Sequence, residues 1–122
     1  VPAFCSSPGM VILANLPEEE SEAVFDASDI RQVTEYTVTD RETLRAQMAE
    51  ARRQGFHISD QQGQVGNVSV AAPVLTPGCR AVAAVHIPGY APRWDLDSVT
   101  EKLTPLAVET AMRISDSLTD AM

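Results

Sequence analysis

The feature that most limits what this chain can fold into is a change of hydrophobic period at Phe56. Before Gly55 the apolar side chains recur at three- and four-residue spacing, the period of a helix with one buried face. Beyond Phe56 they alternate or run on continuously, as they do in half-buried and fully buried strands. Residues 68–75 form an apolar run, Thr76-Pro77-Gly78-Cys79 puts Pro and Gly where a type II turn wants them, and residues 81–87 make the return strand. A polar, glycine-containing stretch, 61–66, leads into the first of the two strands. The expected centre is a β-hairpin with a small-residue interior, set between helical segments.

The helices carry their own start and stop signals. Ser6-Ser7-Pro8-Gly9 ahead of Met10-Val11-Ile12-Leu13-Ala14 reads as a turn or helix N-terminus feeding a short buried helix, whose first N–H groups point toward solvent or a ligand. Pro17 followed by Glu18-Glu19-Glu20 marks a second start, with Pro at the first helical position and acids against the positive end of the dipole. Its buried face would carry Ser21, Val24 and Phe25. Thr39-Asp40-Arg41-Glu42 has the pattern of a capping box, the Thr39 hydroxyl accepting from the Glu42 amide while the Glu42 side chain reaches back. The helix it opens shows Leu44, Met48 and Ala51 on one face and stops at Gly55, where a left-handed cap is expected. Asp95 or Asp97 caps a final long helix with Val99, Leu103, Leu106, Thr110, Ile114 and Leu118 as its stripe, and Pro105 predicts a kink or a late start.

Charge and composition exclude several functions. The net charge is −8, and the nine Lys and Arg residues are dispersed apart from Arg52-Arg53. No basic stripe is left to neutralise a run of phosphates, so this segment is not expected to contact DNA itself. Cys5 and Cys79, the only cysteines, are far apart and lack metal-ligand spacing, and both are expected to be thiols. The longest apolar stretch, near residues 10–13, is far too short to span a bilayer, and the first residues lack the charged start of a signal peptide. A cytoplasmic protein with no membrane partner is expected. A 122-residue chain is one domain at most and buries only about two-thirds of its unfolded surface, which makes self-association an expectation too. The chain begins Val1-Pro2-Ala3 rather than with Met, as a piece of a longer polypeptide would.

No nucleophile elbow, phosphate loop, dinucleotide fingerprint or metal motif occurs, so neither an enzyme nor a cofactor or metal is expected. The acids concentrate at helix starts, where dipole complementarity accounts for them better than a catalytic pair does. His57 stands beside a loop and is expected to be exposed. His86 shares a strand face with Val82, Ala84 and Pro88, while Ala83, Val85 and Ile87 take the other. If its face lines a cavity, the imidazole could orient an anionic or hydroxylated ligand; a satisfied, partly buried histidine with no ligand is the other reading. Ser69, Ala71 and Pro73 share one face of the partner strand, small enough to leave room for a ligand or to let a helix pack closely, and Pro73 implies an edge or a bulge. Cys5 near a helix start would suit a small hydrolase only if an oriented histidine were at hand, and none is apparent.

Taken in order, several signatures resemble the C-terminal portion of the effector-binding domain of IclR-type bacterial transcription regulators. They are Val1-Pro2-Ala3-Phe4-Cys5-Ser6-Ser7-Pro8-Gly9 before a short apolar helix, Leu16-Pro17-Glu18-Glu19, Arg52-Arg53-Gln54-Gly55-Phe56, Val70-Ala71-Ala72-Pro73-Val74 and Leu103-Thr104-Pro105-Leu106. The likeness covers essentially the whole chain. It implies an α/β (α+β) fold class, a GAF-like antiparallel sheet flanked by helices and incomplete on its N-terminal side. Residues 1–122 would be a single, partial effector-binding domain. The partners implied are a small-molecule effector, an organic acid in many members, and further copies in a dimer or tetramer. DNA would be met only through a winged helix-turn-helix domain outside this chain. The mechanism would be coupling rather than chemistry, an effector shifting the population of DNA-binding-competent oligomers by its differential affinity.

The same resemblance points to site residues. The family's ligand loop falls on Ser7, Pro8 and Gly9, where backbone amides hold a ligand carboxylate; Pro8 lacks an N–H, so Ser7 or Gly9 would have to compensate. Ser59 and Asp60 correspond to the positions before the polar loop, Ser69 to a frequent cysteine or similar small residue, and His86 and Pro88 to two small polar residues of the last strand. Gln61 and Gln62 stand where acidic residues usually follow. With less negative charge and an imidazole in place of a hydroxyl, an anionic effector other than the simplest short keto acids is implied. A stand-alone GAF-like dimerisation or interaction module, its small-residue face packed as core, is the alternative.

Overall fold

A computed structural model describes residues 2–121. After a 3₁₀ turn, Ala3–Cys5, come helices α1 (Ser7–Ala14), α2 (Glu18–Ala27) and α3 (Arg41–Gln54), then strands β1 (His57–Asp60), β2 (Asn67–Leu75) and β3 (Ala81–Tyr90). A single helical turn, α4 (Leu96–Ser98), runs through a π-helical turn, Val99–Leu103, into the long α5 (Thr104–Ala121). The strands form one antiparallel sheet in the order β1-β2-β3. This is the mixed α/β class with an antiparallel sheet that the period change at Phe56 indicates.

β2 is covered on both faces, which is why its sequence is apolar nearly throughout. Val68, Val70, Ala72 and Val74 pack against Val99, Leu103, Ala107 and Ala111 on one side. The other face meets α1, behind which Phe4, Met10, Leu13, Phe25, Leu44 and Met48 form a second core. Pro73 is tolerated in this central strand because β1 begins only opposite Ala71, leaving Pro73 one neighbour, and a register shift follows at Val74/Leu75.

Several local signals operate as expected. Leu44, Met48 and Ala51 are all buried, and Gly55 closes α3 with φ +84°. Asp95 caps α4 by accepting from the Ser98 amide at 2.8 Å. Five expectations need correction. Asp40, not Thr39, caps α3: its carboxylate accepts from the Thr43 amide at 2.9 Å and hydroxyl at 2.6 Å, and as a charged acceptor it is the stronger cap. Pro17 is the residue before α2 rather than its first. Val24 is exposed, because only Ser21 and Phe25 of α2 turn inward, Phe25 with the guanidinium groups of Arg41 and Arg45 each 5.0 Å from its ring centroid. The turn 76–79 is not type II, since Gly78 has no positive φ and the left-handed residue is Cys79, φ +63°. The stripe of α5 shifts: Leu106 and Ile114 are exposed, and Ala107 and Ala111 face the sheet. The π turn adds a residue to one turn of helix just before Pro105, rotating every later position.

Candidate functional site

α1 begins close to the sheet because its N-terminus is folded in on itself. Ser6 caps it, its Oγ accepting from the Gly9 amide at 3.1 Å. Gly9 is required there, since a Cβ would stand 2.5 Å from the Cα and O of Ala3. Of the first amides of the helix, Pro8 has none and that of Gly9 is taken by Ser6, which leaves Ser7 as the backbone donor at this end. The Ser7 Oγ meets Ser69 Oγ on β2 at 2.7 Å, and the Ser59 hydroxyl on β1 donates to the Cys5 carbonyl at 3.4 Å.

Between this helix start and the sheet lies a half-open cavity of about 230 Å³ lined by Cys5, Ser6, Ser7, Pro8, Ser59, Gly63, Gln64, Asn67, Ser69 and His86. The sheet register explains the grouping, for Ser59 pairs with Ser69, and Ala71 with His86, so their side chains share a face. Ser7, Pro8, Ser59, Ser69 and His86 are thus brought together. Gly9 supports the cavity from behind. Asp60 lies on the opposite sheet face beside Trp94 and Asp95, and Pro88 borders a separate surface groove with Gln64 and Tyr90.

The wall carries polar groups, chiefly serine hydroxyls, among more apolar surface, and none of its residues bears a full charge. His86 is exposed, but the burial it does have lowers its pKa, so the imidazole is neutral at pH 7 and both accepts and donates. Burial pushes the Cys5 thiol up, the opposite of what a nucleophile needs, which removes the support for a hydrolase. His57, expected in solvent, is 8 % exposed, because it enters β1 opposite Ala71; with no charged partner its pKa falls to about 4. Among the described residues no group of three His, Cys, Asp or Glu side chains could hold a metal ion, and no helix is long and apolar enough to cross a membrane.

Cys5, Ser6, Gly63, Gln64 and Asn67 are wall residues that are not among the expected ligand-binding positions. Ser6 was recoverable as the N-cap three residues before Gly9. The loop residues carry no such local signal, since they reach the cavity only after β1 and β2 pair.

The chain matches the family model described as bacterial transcriptional regulator IclR C-terminal over residues 1–116. It is 24 % identical over 118 residues to the Pca regulon regulatory protein of Pseudomonas putida, covering 97 % of this chain and 40 % of that protein. A crystal structure from Rhodococcus sp. RHA1, assigned as a transcriptional regulator, superposes with TM-score 0.92 at 36 % identity, over 98 % of this chain and 49 % of that one. The inducer-binding domain of the Acinetobacter transcription factor PobR, a double mutant in complex with 3-hydroxybenzoic acid, shares the fold with TM-score 0.85 at 24 % identity, over 94 % of this chain and 66 % of that one. The chain spans about two-fifths of the length of the curated relatives it matches, 39 %, 40 % and 42 % for the first three. These relatives regulate transcription and are not enzymes. With 116 of its residues inside that model, the chain belongs to the IclR C-terminal family of bacterial transcriptional regulators.

Proposed function

We propose that this segment senses a small organic acid in the cavity between α1 and the sheet and passes its occupancy to a DNA-binding domain outside this chain. The observation that carries this is the cavity wall, on which small hydroxyl residues and one neutral imidazole surround about 230 Å³. That is below the roughly 300–1,000 Å³ of sites for drug-sized ligands. A one-ring or short-chain acid fits such a space. Ser7 supplies a backbone donor, His86 and Ser59 orient the ligand, and Pro8 and Ser69 shape the floor. Gly9 holds the helix start in place, while Asp60, on the other sheet face, keeps its charge away from a bound anion; Pro88 lines the separate groove with Gln64 and Tyr90. The PobR domain's 3-hydroxybenzoic acid favours an aromatic acid as the first class to try.

The GAF-like description, assembly into dimers or tetramers, a cytoplasmic location and one partial domain over 1–122 belong to the same reading. Coupling needs nothing more than an effector that prefers one arrangement of subunits. The test is a thermal shift and calorimetric titration with 3-hydroxybenzoate, 4-hydroxybenzoate, pyruvate and a neutral benzyl alcohol control. Saturable stabilisation by an acid and not by the alcohol is expected, because a ligand of the folded state raises its stability. No response to any acid would count against the reading. A second reading, a dimerisation module with no ligand, draws on the Ser7–Ser69 hydrogen bond, which partly closes the space against a guest.

A further inference from the structure

We propose that Thr34 and Thr37 latch the 61–66 loop over the cavity, making the segment between α2 and α3 part of the control of access to it. Thr34 Oγ1 donates to the Gln61 carbonyl at 2.7 Å and Thr37 Oγ1 to that of Gln62 at 2.6 Å. Each hydroxyl is aimed by amides behind it. Thr37 Oγ1 accepts from the Val33 and Thr34 amides at 3.1 and 2.8 Å, and Thr34 Oγ1 accepts from Tyr36 at 3.1 Å. Both lone pairs of Thr37 Oγ1 and one of Thr34 Oγ1 are so occupied, and each hydroxyl gives its single proton to the loop carbonyl. Ile30 and Val38 tie the two ends of the segment to the core, whereas Val33 and Tyr36 between them are exposed. Its middle is therefore held to the loop chiefly by hydrogen bonds and not by burial.

The loop needs holding. Gln61 sits at φ +60°, a region that L side chains avoid, with its carboxamide oxygen bonded to the Gly66 amide at 3.0 Å. Asn67, where the loop rejoins β2, has a buried side-chain oxygen without a donor. Both features work against the closed position, and the two threonine protons offset them. Because Gly63, Gln64 and Asn67 form one wall of the cavity, release of the latch opens that wall. A ligand touching it is in turn felt at an exposed segment some 25 residues away in sequence. The inference rests on the effector reading only for what enters; the latch itself is a property of the protein alone.

Cys5 is buried on the cavity wall and serves as a reporter once Cys79, the exposed thiol, is replaced by Ser. In that background the full chain is treated with iodoacetamide. The Thr34→Val/Thr37→Val variant should be alkylated at Cys5 about tenfold faster, as expected when an opening equilibrium loses two hydrogen bonds. The Thr34→Ser/Thr37→Ser variant, which keeps the hydroxyls, should stay slow. Unchanged rates in the valine variant overturn the latch, and so does an acceleration no larger than its urea-measured loss of global stability explains. Protection of Cys5 by 3-hydroxybenzoate is scored separately and bears on the effector reading, so the two ideas fail by different measurements.

Discussion

Ser7 Oγ and Ser69 Oγ lie 2.7 Å apart in the interior, although 62 positions separate the residues in the chain. The bond fastens the first residue of α1 to the third residue of β2, beside the cavity. Removing one hydroxyl leaves its buried partner unpaired, so Ser7→Ala and Ser69→Ala should each cost about 1–3 kcal/mol. The double variant should cost clearly less than the sum. Urea unfolding of the four proteins closes the cycle, and additive losses would mean that the hydroxyls do not interact.

Gly9→Ala tests the close approach of α1 to Ala3. Alanine is the better helix former, but here its Cβ would meet backbone atoms at 2.5 Å, which cannot move aside as a flexible side chain would. Overpacking of this kind should destabilise by about 1–3 kcal/mol, outweighing the propensity gain. Gly78→Ala, whose nearest neighbour is the Thr76 hydroxyl at 3.9 Å, should be close to neutral. Equal midpoints for the two variants in urea would contradict the packing described for α1.

His57 makes stability depend on pH. Its folded pKa, about 4, lies below the ordinary histidine value of 6.5, so the unfolded chain takes up the proton first. The stabilisation from keeping His57 neutral is complete above pH 6.5 and lost as pH falls toward 4, at up to about 1.4 kcal/mol per pH unit and about 3 kcal/mol in all. His57→Leu should flatten that part of the profile. A wild-type slope retained in the variant would place the titration elsewhere.

His86 should act on binding more than on folding. The residue is exposed, so His86→Ala should alter stability little while weakening an acid ligand about tenfold, the worth of one good hydrogen bond. Burial lowers its pKa in the free protein, and a bound carboxylate would favour the imidazolium; affinity should therefore rise as the pH drops below neutral. Calorimetry near pH 6 and near pH 8 would show it. Equal affinities for both proteins at both values would remove His86 from the site.

Pro8 can be read in the opposite direction. Pro8→Ala restores an N–H at the start of α1, beside that of Ser7, and a charge-assisted hydrogen bond is worth about 1.5–3 kcal/mol. An acid that binds the unaltered protein should bind this variant about tenfold more tightly, whereas a neutral alcohol should not change. The same gain for both ligands would point to a general loosening of the cavity.

Local signals determined much of this protein without help. The period change at Phe56 separates helices from strands, Gly55 ends α3, Ser6 and Gly9 start α1, and strand alternation puts Ser69 and Ser59, or Ala71 and His86, on a common face once they pair. Each of these depends on residues within a turn or two of one another, where backbone geometry and capping chemistry act directly. Tertiary structure alone decided the rest. His57 is buried because of what β1 pairs with, not because of its neighbours in sequence. The face of α5 is set by a π turn that the helical period does not anticipate. The cavity wall at Gly63, Gln64 and Asn67 depends on a loop that two distant threonines hold in place. Burial and enclosure are sums over chain segments far apart in sequence, and no local pattern records them.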